Sequence, residues 1–176
     1  MNQAPEFSRP VRIDTLGGTP RQMSITANED ERAALASRFN ILDIAHLSAE
    51  AEITRSGDQV IASGTLQAQV TQSCVATNML VEETVEEQFR IEFRSQPART
   101  SEEDEIELSE GELDVVFYDG AAIDIGEAVA ETLSLSLDPY PRAPDANAIL
   151  REAGVKDEEE AGAFGALAAL RDKMKP

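Results

Sequence analysis

Between Val81 and Arg94 the chain alternates with a period of two. Val81, Val85, Phe89, Ile91 and Phe93 take odd positions, while Glu82, Thr84, Glu86, Gln88, Arg90, Glu92 and Arg94 leave the even positions without an apolar residue. A helix would scatter these residues around its circumference; a strand with one buried face puts them on one side. At about 3.3 Å per residue the segment extends about 46 Å, beyond an ordinary strand, so it must bend, bulge or curl as strands do in strongly twisted sheets and small barrels. The same alternation runs through Leu47, Ala49, Ala51 and Ile53, stops at Ser56-Gly57-Asp58, and resumes at Val60, Ala62, Gly64, Leu66, Ala68 and Val70. A long hairpin with one buried face follows from it.

The remaining elements fit around that sheet. Phe7 to Ile13 and Gln22 to Ala27, separated by the turn Gly17-Gly18-Thr19-Pro20, read as two short strands. Asn28 with Glu31 three residues on forms a capping-box pattern that heads a helix over 29–39, and Asn40 stops it. A strand at Leu113 to Tyr118 ends at Asp119-Gly120; Asp124, with Glu127 three residues later, heads a helix from Ile125 to about Leu137, which Pro139, Pro141 and Pro144 end. Phe164, Leu167, Ala168 and Met174 share one helical face, with Arg171, Lys173 and Lys175 around it, which predicts an amphipathic terminal helix. The predicted architecture is α+β: an antiparallel, strongly twisted or barrel-like sheet with one early helix and two C-terminal helices. It forms a single domain over 1–176, with a mobile acidic loop at 95–112, a Pro-rich and acidic linker at 139–160, and the terminal amphipathic helix at 161–176.

At 176 residues and 41% hydrophobic content the chain can bury one core, a lean one because Trp is absent and only six Phe and two Tyr are present. No basic run followed by an apolar stretch opens the sequence, and no window reaches the roughly 18 apolar residues of a membrane span, so a cytoplasmic protein is expected. A single Cys, Cys74, forms no internal disulfide, and one Cys with one His cannot supply the ligands of a structural zinc site. No metal and no cofactor are expected. The net charge of −19 is unevenly spread: residues 101–114 hold eight acids and no base, and 157–160 hold four more; without those twelve the remainder carries −7. Such runs are ordinarily solvated; the functional alternative is a lure for a basic partner or a guard against nonspecific nucleic-acid binding.

Catalytic chemistry finds little support. Leu16-Gly17-Gly18 lacks the Lys-Ser/Thr and the helix of a phosphate loop and reads as a turn. The only histidine, His46, lies in a strand-like stretch, and nothing in the sequence pairs it with Cys74 as a nucleophile and base. The cations are scattered, with Arg9, Arg12 and Arg21 near the start and Arg171, Lys173 and Lys175 at the end as the nearest approach to clusters; a protein that neutralises phosphates ordinarily shows a basic patch. A non-enzymatic binding protein is expected.

Three segments taken in order carry a resemblance. Thr71-Gln72-Ser73-Cys74-Val75-Ala76-Thr77 leads into the long strand ending in Phe89 and Phe93; Ile123-Asp124-Ile125-Gly126-Glu127 opens a helix that runs to Leu137 and Pro139; Phe164-Gly165-Ala166-Leu167-Ala168-Ala169-Leu170-Arg171 closes the chain. Together, over roughly residues 7–175, they resemble the YceD-like family, bacterial and chloroplast proteins linked to accumulation of the large-subunit ribosomal RNA. Cys74, Asp124 and Glu127 stand at family-motif positions. Many members carry a Cys-x-x-Cys here, and some add cysteines after the proline-rich stretch, which suggests a metal-binding version. This chain has Thr77 at the second position and no Cys around Tyr140 to Pro144, so neither a metal role nor a paired-thiol redox role carries over.

The resemblance implies a role in large ribosomal subunit assembly or ribosomal RNA stability, with no catalytic residue to transfer, and leaves open whether the contact is with RNA or protein. The charge favours a basic protein, a ribosomal protein or assembly factor, over naked RNA, with neither a membrane nor a small-molecule substrate involved. One alternative is an adaptor that binds a cytosolic enzyme through the terminal helix, with Phe164, Leu167, Arg171 and Lys173 as contact residues. Another is direct ribosomal RNA binding through the arginines near Arg9 and Arg171.

Overall fold

The computed structural model describes residues 5–57, 59–95, 114–118 and 120–155. The elements are β1 (Pro10–Arg12), a 3-10 turn at Ile13–Thr15, β2 (Arg21–Thr26), α1 (Glu29–Phe39), β3 (Asp43–Ser56), β4 (Gln59–Ser73), β5 (Leu80–Ser95), β6 (Asp114–Tyr118), β7 (Ala122–Asp124), α2 (Ile125–Ser136) and α3 (Ala146–Glu152). The chain divides into two compact units, Met1–Gln72 with Glu82–Asp138, and Ser73–Val81 with Pro139–Pro176. No helix among the described residues is long and apolar enough to cross a membrane.

In the first unit the predicted alternation becomes the inner face of a five-stranded sheet in the order β2-β3-β4-β5-β6. Antiparallel register sets Ile25 beside Ala49, Ala49 beside Leu66, Leu47 beside Ala68 and Ile53 beside Ala62, all buried. Ile44 is also buried although its parity opposes that of Leu47. The conflict is resolved by a bulge: Ile44 pairs with Val70 and His46 with Gln69, so Ala45 is the extra residue and both apolar side chains turn inward.

A second irregularity lies midway along the hairpin. A Cβ on Gly64 would stand 1.9 Å from the Glu50 carbonyl oxygen, so β3 and β4 approach there more closely than any side chain permits. On β5 the alternation holds at Val85, Phe89, Ile91 and Phe93, all buried, but is interrupted by Glu87, which is exposed.

The sheet is open rather than closed into a barrel, with β2 and β6 at its edges. These edge strands have six and five residues against 14 to 16 in β3, β4 and β5, too short to complete a ring of paired strands. One pair departs from the antiparallel expectation: β5 and β6 run parallel, Ile91 beside Asp114 and Ser95 beside Tyr118. A parallel return needs a connection of a dozen residues or more, which the chain from 96 to 113 is long enough to supply.

Helices α1 and α2 supply the other half of the core. Asn28 accepts from the Glu31 N–H at 3.0 Å, Glu31 accepts from the Asn28 N–H at 2.8 Å, and Asn40 ends α1 in the left-handed region at φ 54°, as the sequence predicts. Leu35 of α1 and Ile125, Val129 and Leu133 of α2 belong to the same buried cluster as the sheet's inner face. Full burial of side chains such as Leu35, Leu47, Leu66 and Leu133 is worth about 1.5–3 kcal/mol each. Phe7 and Val11, from the first predicted strand, are buried too, although only Pro10–Arg12 forms a ladder, with the unpredicted β7.

In the second unit α3 occupies part of the 139–160 stretch that the sequence reads as a linker. It has only seven residues and Asp145 makes no side-chain cap bond, so its sequence signal is weak. The acidic segment up to residue 113, the four acids at 157–160 and the predicted terminal helix lie outside the described residues.

Replacing Gly64 by Ala is expected to destabilise the protein by about 1–3 kcal/mol or more, because backbone rather than a flexible side chain must give way. Gly17→Ala, with nothing within 4 Å of the added Cβ, should stay within about 0.5 kcal/mol of wild type. Urea unfolding of the two variants provides the check.

Candidate functional site

Asp124 and Glu127, two of the three family-motif positions, sit where the N-terminal strand, α1 and α2 meet. The short ladder places Pro10 beside Asp124. From there one carboxylate serves three donors: Asp124 Oδ1 accepts from the Arg9 N–H at 2.8 Å and from the Glu127 N–H at 3.1 Å, while Oδ2 accepts from the Ser8 hydroxyl. It therefore caps α2, places a negative charge at the helix's positive end, and anchors the incoming chain. Gly126 makes this approach possible, since a Cβ there would lie 2.0 Å from the Phe7 carbonyl oxygen.

Glu127 faces α1. Its two oxygens accept from Arg38 at 2.8 and 3.0 Å, and Arg38 also donates to Glu6 at 3.0 Å. The hydrogen bonds from Arg38 to these carboxylates hold the guanidinium more firmly protonated than usual, whereas burial, helped by the neighbouring Glu127 charge, raises the Glu131 carboxyl. On the other side of the junction Arg9 donates to both Glu31 oxygens at 2.7 and 2.9 Å and stacks over Phe7 at 4.5 Å. The Arg9 hydrogen bonds hold the Glu31 carboxyl below its ordinary 4.5, against a smaller opposing effect of burial.

Cys74 belongs to the second unit and heads a tight knuckle. The Asn78 N–H donates to the Cys74 carbonyl at 2.9 Å, the Cys74 N–H donates to Met79 at 2.7 Å, and Asn78 takes the left-handed φ of 57° that the reversal requires. The Val75 N–H donates to Pro141 at 2.9 Å, and the Ala143 N–H donates to Cys74 Sγ at 3.3 Å. The thiol is closed off among Ala143 and Ala146, with Ala76 and Val81 alongside. The Thr77 hydroxyl beside it, with the N–H groups of Ala143, Ala76 and Thr77, lowers the thiol to about 7, while burial opposes them. Thr77 Oγ1 is itself buried without a well-formed hydrogen bond.

These residues do not fit a metal. A zinc-type site takes four sulfur, nitrogen or carboxylate ligands, and around Cys74 stand Thr77, Ala143 and Ala146. Among the described residues no group of three His, Cys, Asp or Glu is placed to hold a metal ion. His46, at the bulge in β3, pairs its Nε2 with Ser48 Oγ at 2.9 Å.

The structure places the arginines near the start apart from one another. Arg9 is engaged by Glu31, Arg12 pairs with Asp14, and Arg21 lies exposed on the edge strand β2. Phe164, Leu167, Arg171 and Lys173 lie outside the described residues. Ser8, Arg38 and Gly126 are the participants that sequence reasoning does not single out. Only Gly126 leaves a trace, as a glycine at the second position of α2.

A family model described as Large ribosomal RNA subunit accumulation protein YceD matches residues 62–171. That stretch begins inside β4 and includes Cys74, Asp124 and Glu127. No curated protein and no solved structure matches the chain.

Two expectations follow from the junction and the knuckle. Asp124→Ala removes the cap and leaves Ser8 and the Arg9 N–H without their acceptor, costing about 2–4 kcal/mol in chemical denaturation, whereas Asp124→Asn, which keeps one acceptor, loses less. Because Glu31 is lowered when folded, its pairing stabilises the protein above pH 4.5 and is lost as pH falls through the lowered value. Glu31→Gln should flatten the acid limb of a stability–pH profile, and an unchanged limb would count against the pairing. Thiolate absorbance should titrate near pH 7 in wild type and higher in Thr77→Val.

Proposed function

The chain belongs to the YceD family, and from that premise we propose that it is a noncatalytic factor in large ribosomal subunit biogenesis that acts by binding a basic protein. Membership implies a role in the accumulation of the large ribosomal RNA subunit. The finer reading, a protein rather than RNA as the direct contact, and binding rather than catalysis, rests on charge and on how the polar groups are used.

The observation that carries it is electrostatic. The chain has a net charge of −19, and two of the three arginines near its start are neutralised within the fold, Arg9 by Glu31 and Arg12 by Asp14. A surface that binds ribosomal RNA gains affinity by displacing counterions from phosphates with free Lys and Arg. An acidic body with two of its three early arginines already paired gains little that way and is instead steered toward cationic proteins. The reading of Asp124 and Glu127 as structural groups points away from catalysis, since their carboxylate oxygens are engaged by Ser8, Arg9 and Arg38. A partner of this kind belongs to the cytoplasm, where ribosomal proteins meet their RNA.

Depletion of the protein followed by gradient profiling of ribosomal subunits tests the process. A reduced large-subunit peak with accumulated large ribosomal RNA precursor is expected. A normal peak with normal precursor levels would contradict the proposal.

A further inference from the structure

The sheet of the first unit has a second face, opposite its core, whose side chains are exposed or half-buried among the described residues, Glu92 excepted. Its outward positions on β2, β3 and β4 carry no Lys or Arg; they are Ser, Thr, Gln and Glu with one aspartate, one histidine, one isoleucine and the bulged Ala45. On β5 the outward cations come only at Arg90 and Arg94, and Arg94 is bound to Glu92. Among the described residues only Arg90 and Arg94 bring positive charge to this face, whereas a sheet face that merely meets water ordinarily mixes both signs more evenly.

Two hollows lie next to each other on that face. The first, about 390 Å³, is lined by Ser24, Thr26, Ser48, Glu50, Thr65 and Gln67, with His46 at its rim. The second, about 440 Å³, is lined on this face by Gln69, Thr71, Glu82 and Thr84 around the bulged Ala45, and also by Val70 and Glu83, whose parity is that of the core side. They adjoin because Ala45 and His46 are consecutive on β3, and Gln67 and Gln69 are successive outward residues on β4. Each hollow offers carboxylate, hydroxyl and amide oxygens and no Lys or Arg. Among the described residues Glu50, Glu82 and Glu83 take part in no ion pair. A recess rich in acceptors, holding an unpaired carboxylate, suits an ammonium or a guanidinium, whose donors number three and five and which brings no acceptor of its own.

We propose that this outward face of β2–β5 is the docking surface for a basic protein, and that its two hollows each receive a Lys or Arg side chain from one extended cationic segment. The proposal rests on the reading that the partner is a protein, and it names where that protein binds. It also separates two acidic features: the hollows make the contact, while the eight acids of 101–114 act only through their long-range field.

The test compares two full-length variants that lose equal charge, E50Q/E82Q on the face and E102Q/E103Q in the acidic run, with T65K as a third that places a cation in the first hollow. Binding of a synthetic Lys- and Arg-rich peptide, and of purified large-subunit proteins freed of RNA, is measured at moderate salt, with thermal melts confirming that each variant folds. The face variant and T65K should each weaken both interactions about tenfold or more, and the acidic-run variant by about twofold or less. Equal losses in the face and run variants would mean that only the long-range field matters, and wild-type affinity in the face variant would remove the surface; either overturns the docking proposal and leaves the protein-partner reading standing. Wild-type protein that binds ribosomal RNA but neither peptide nor protein overturns both.

Discussion

A single carboxylate holds together the parts of the first unit that cover its sheet. Asp124 ends the β1–β7 ladder, caps α2 and receives the incoming strand through Ser8 and the Arg9 N–H. Next to it Gly126 lets backbone meet backbone, Glu127 ties α2 to α1 through Arg38, and Arg9 reaches Glu31, itself part of the α1 capping box. These contacts interlock: the residue that caps one helix is hydrogen bonded to a neighbour of the arginine that pins the other. With both helices fixed, Leu35, Val129 and Leu133 meet the inner face of the sheet and exclude water from a core that has no Trp. Asp124 and Glu127, at family-motif positions, thus have a structural role in fixing the helices.

Where local rules decide, the sequence is legible. Strict alternation gives β3, β4 and β5, and the capping patterns at Asn28 and Asp124 give the starts of α1 and α2, because a period or a cap is a property of a few adjacent residues. What escapes it depends on partners distant in sequence. The three-residue β7 exists only because β1 lies beside it, the parallel run of β6 depends on a long return, and the bulge at Ala45 answers a parity conflict between Ile44 and Leu47 that a flat reading of alternation passes over. Ser8 and Arg38 carry no local mark, since their partners Asp124 and Glu127 are about a hundred residues away. Of the candidate site residues, Asp124, Glu127 and Cys74 are marked by the resemblance and acquire their surroundings from the fold, whereas Arg9, Arg12 and Arg21, the nearest approach to a cluster near the start, stand apart in space, two of them paired with acids.

Cys74 stands where the resemblance leads one to expect the first Cys of a Cys-x-x-Cys. Its knuckle keeps the N–H groups directed at sulfur, which lower the thiol, while Thr77, Ala143 and Ala146 surround it with groups that bind no metal. The second unit closes around sulfur and methyl groups where thiolates would be needed.

The central claim is that an acidic, noncatalytic protein serves large-subunit accumulation by holding a basic protein. Its most direct measurement is equilibrium binding of the labelled full-length protein to two preparations from the same large subunit, its proteins freed of RNA and its RNA freed of protein, across a range of salt. Saturable binding to one or more basic proteins that persists at moderate salt is expected, with no comparable binding to the RNA. Tighter binding to the RNA, with a steep loss as salt rises, would contradict it.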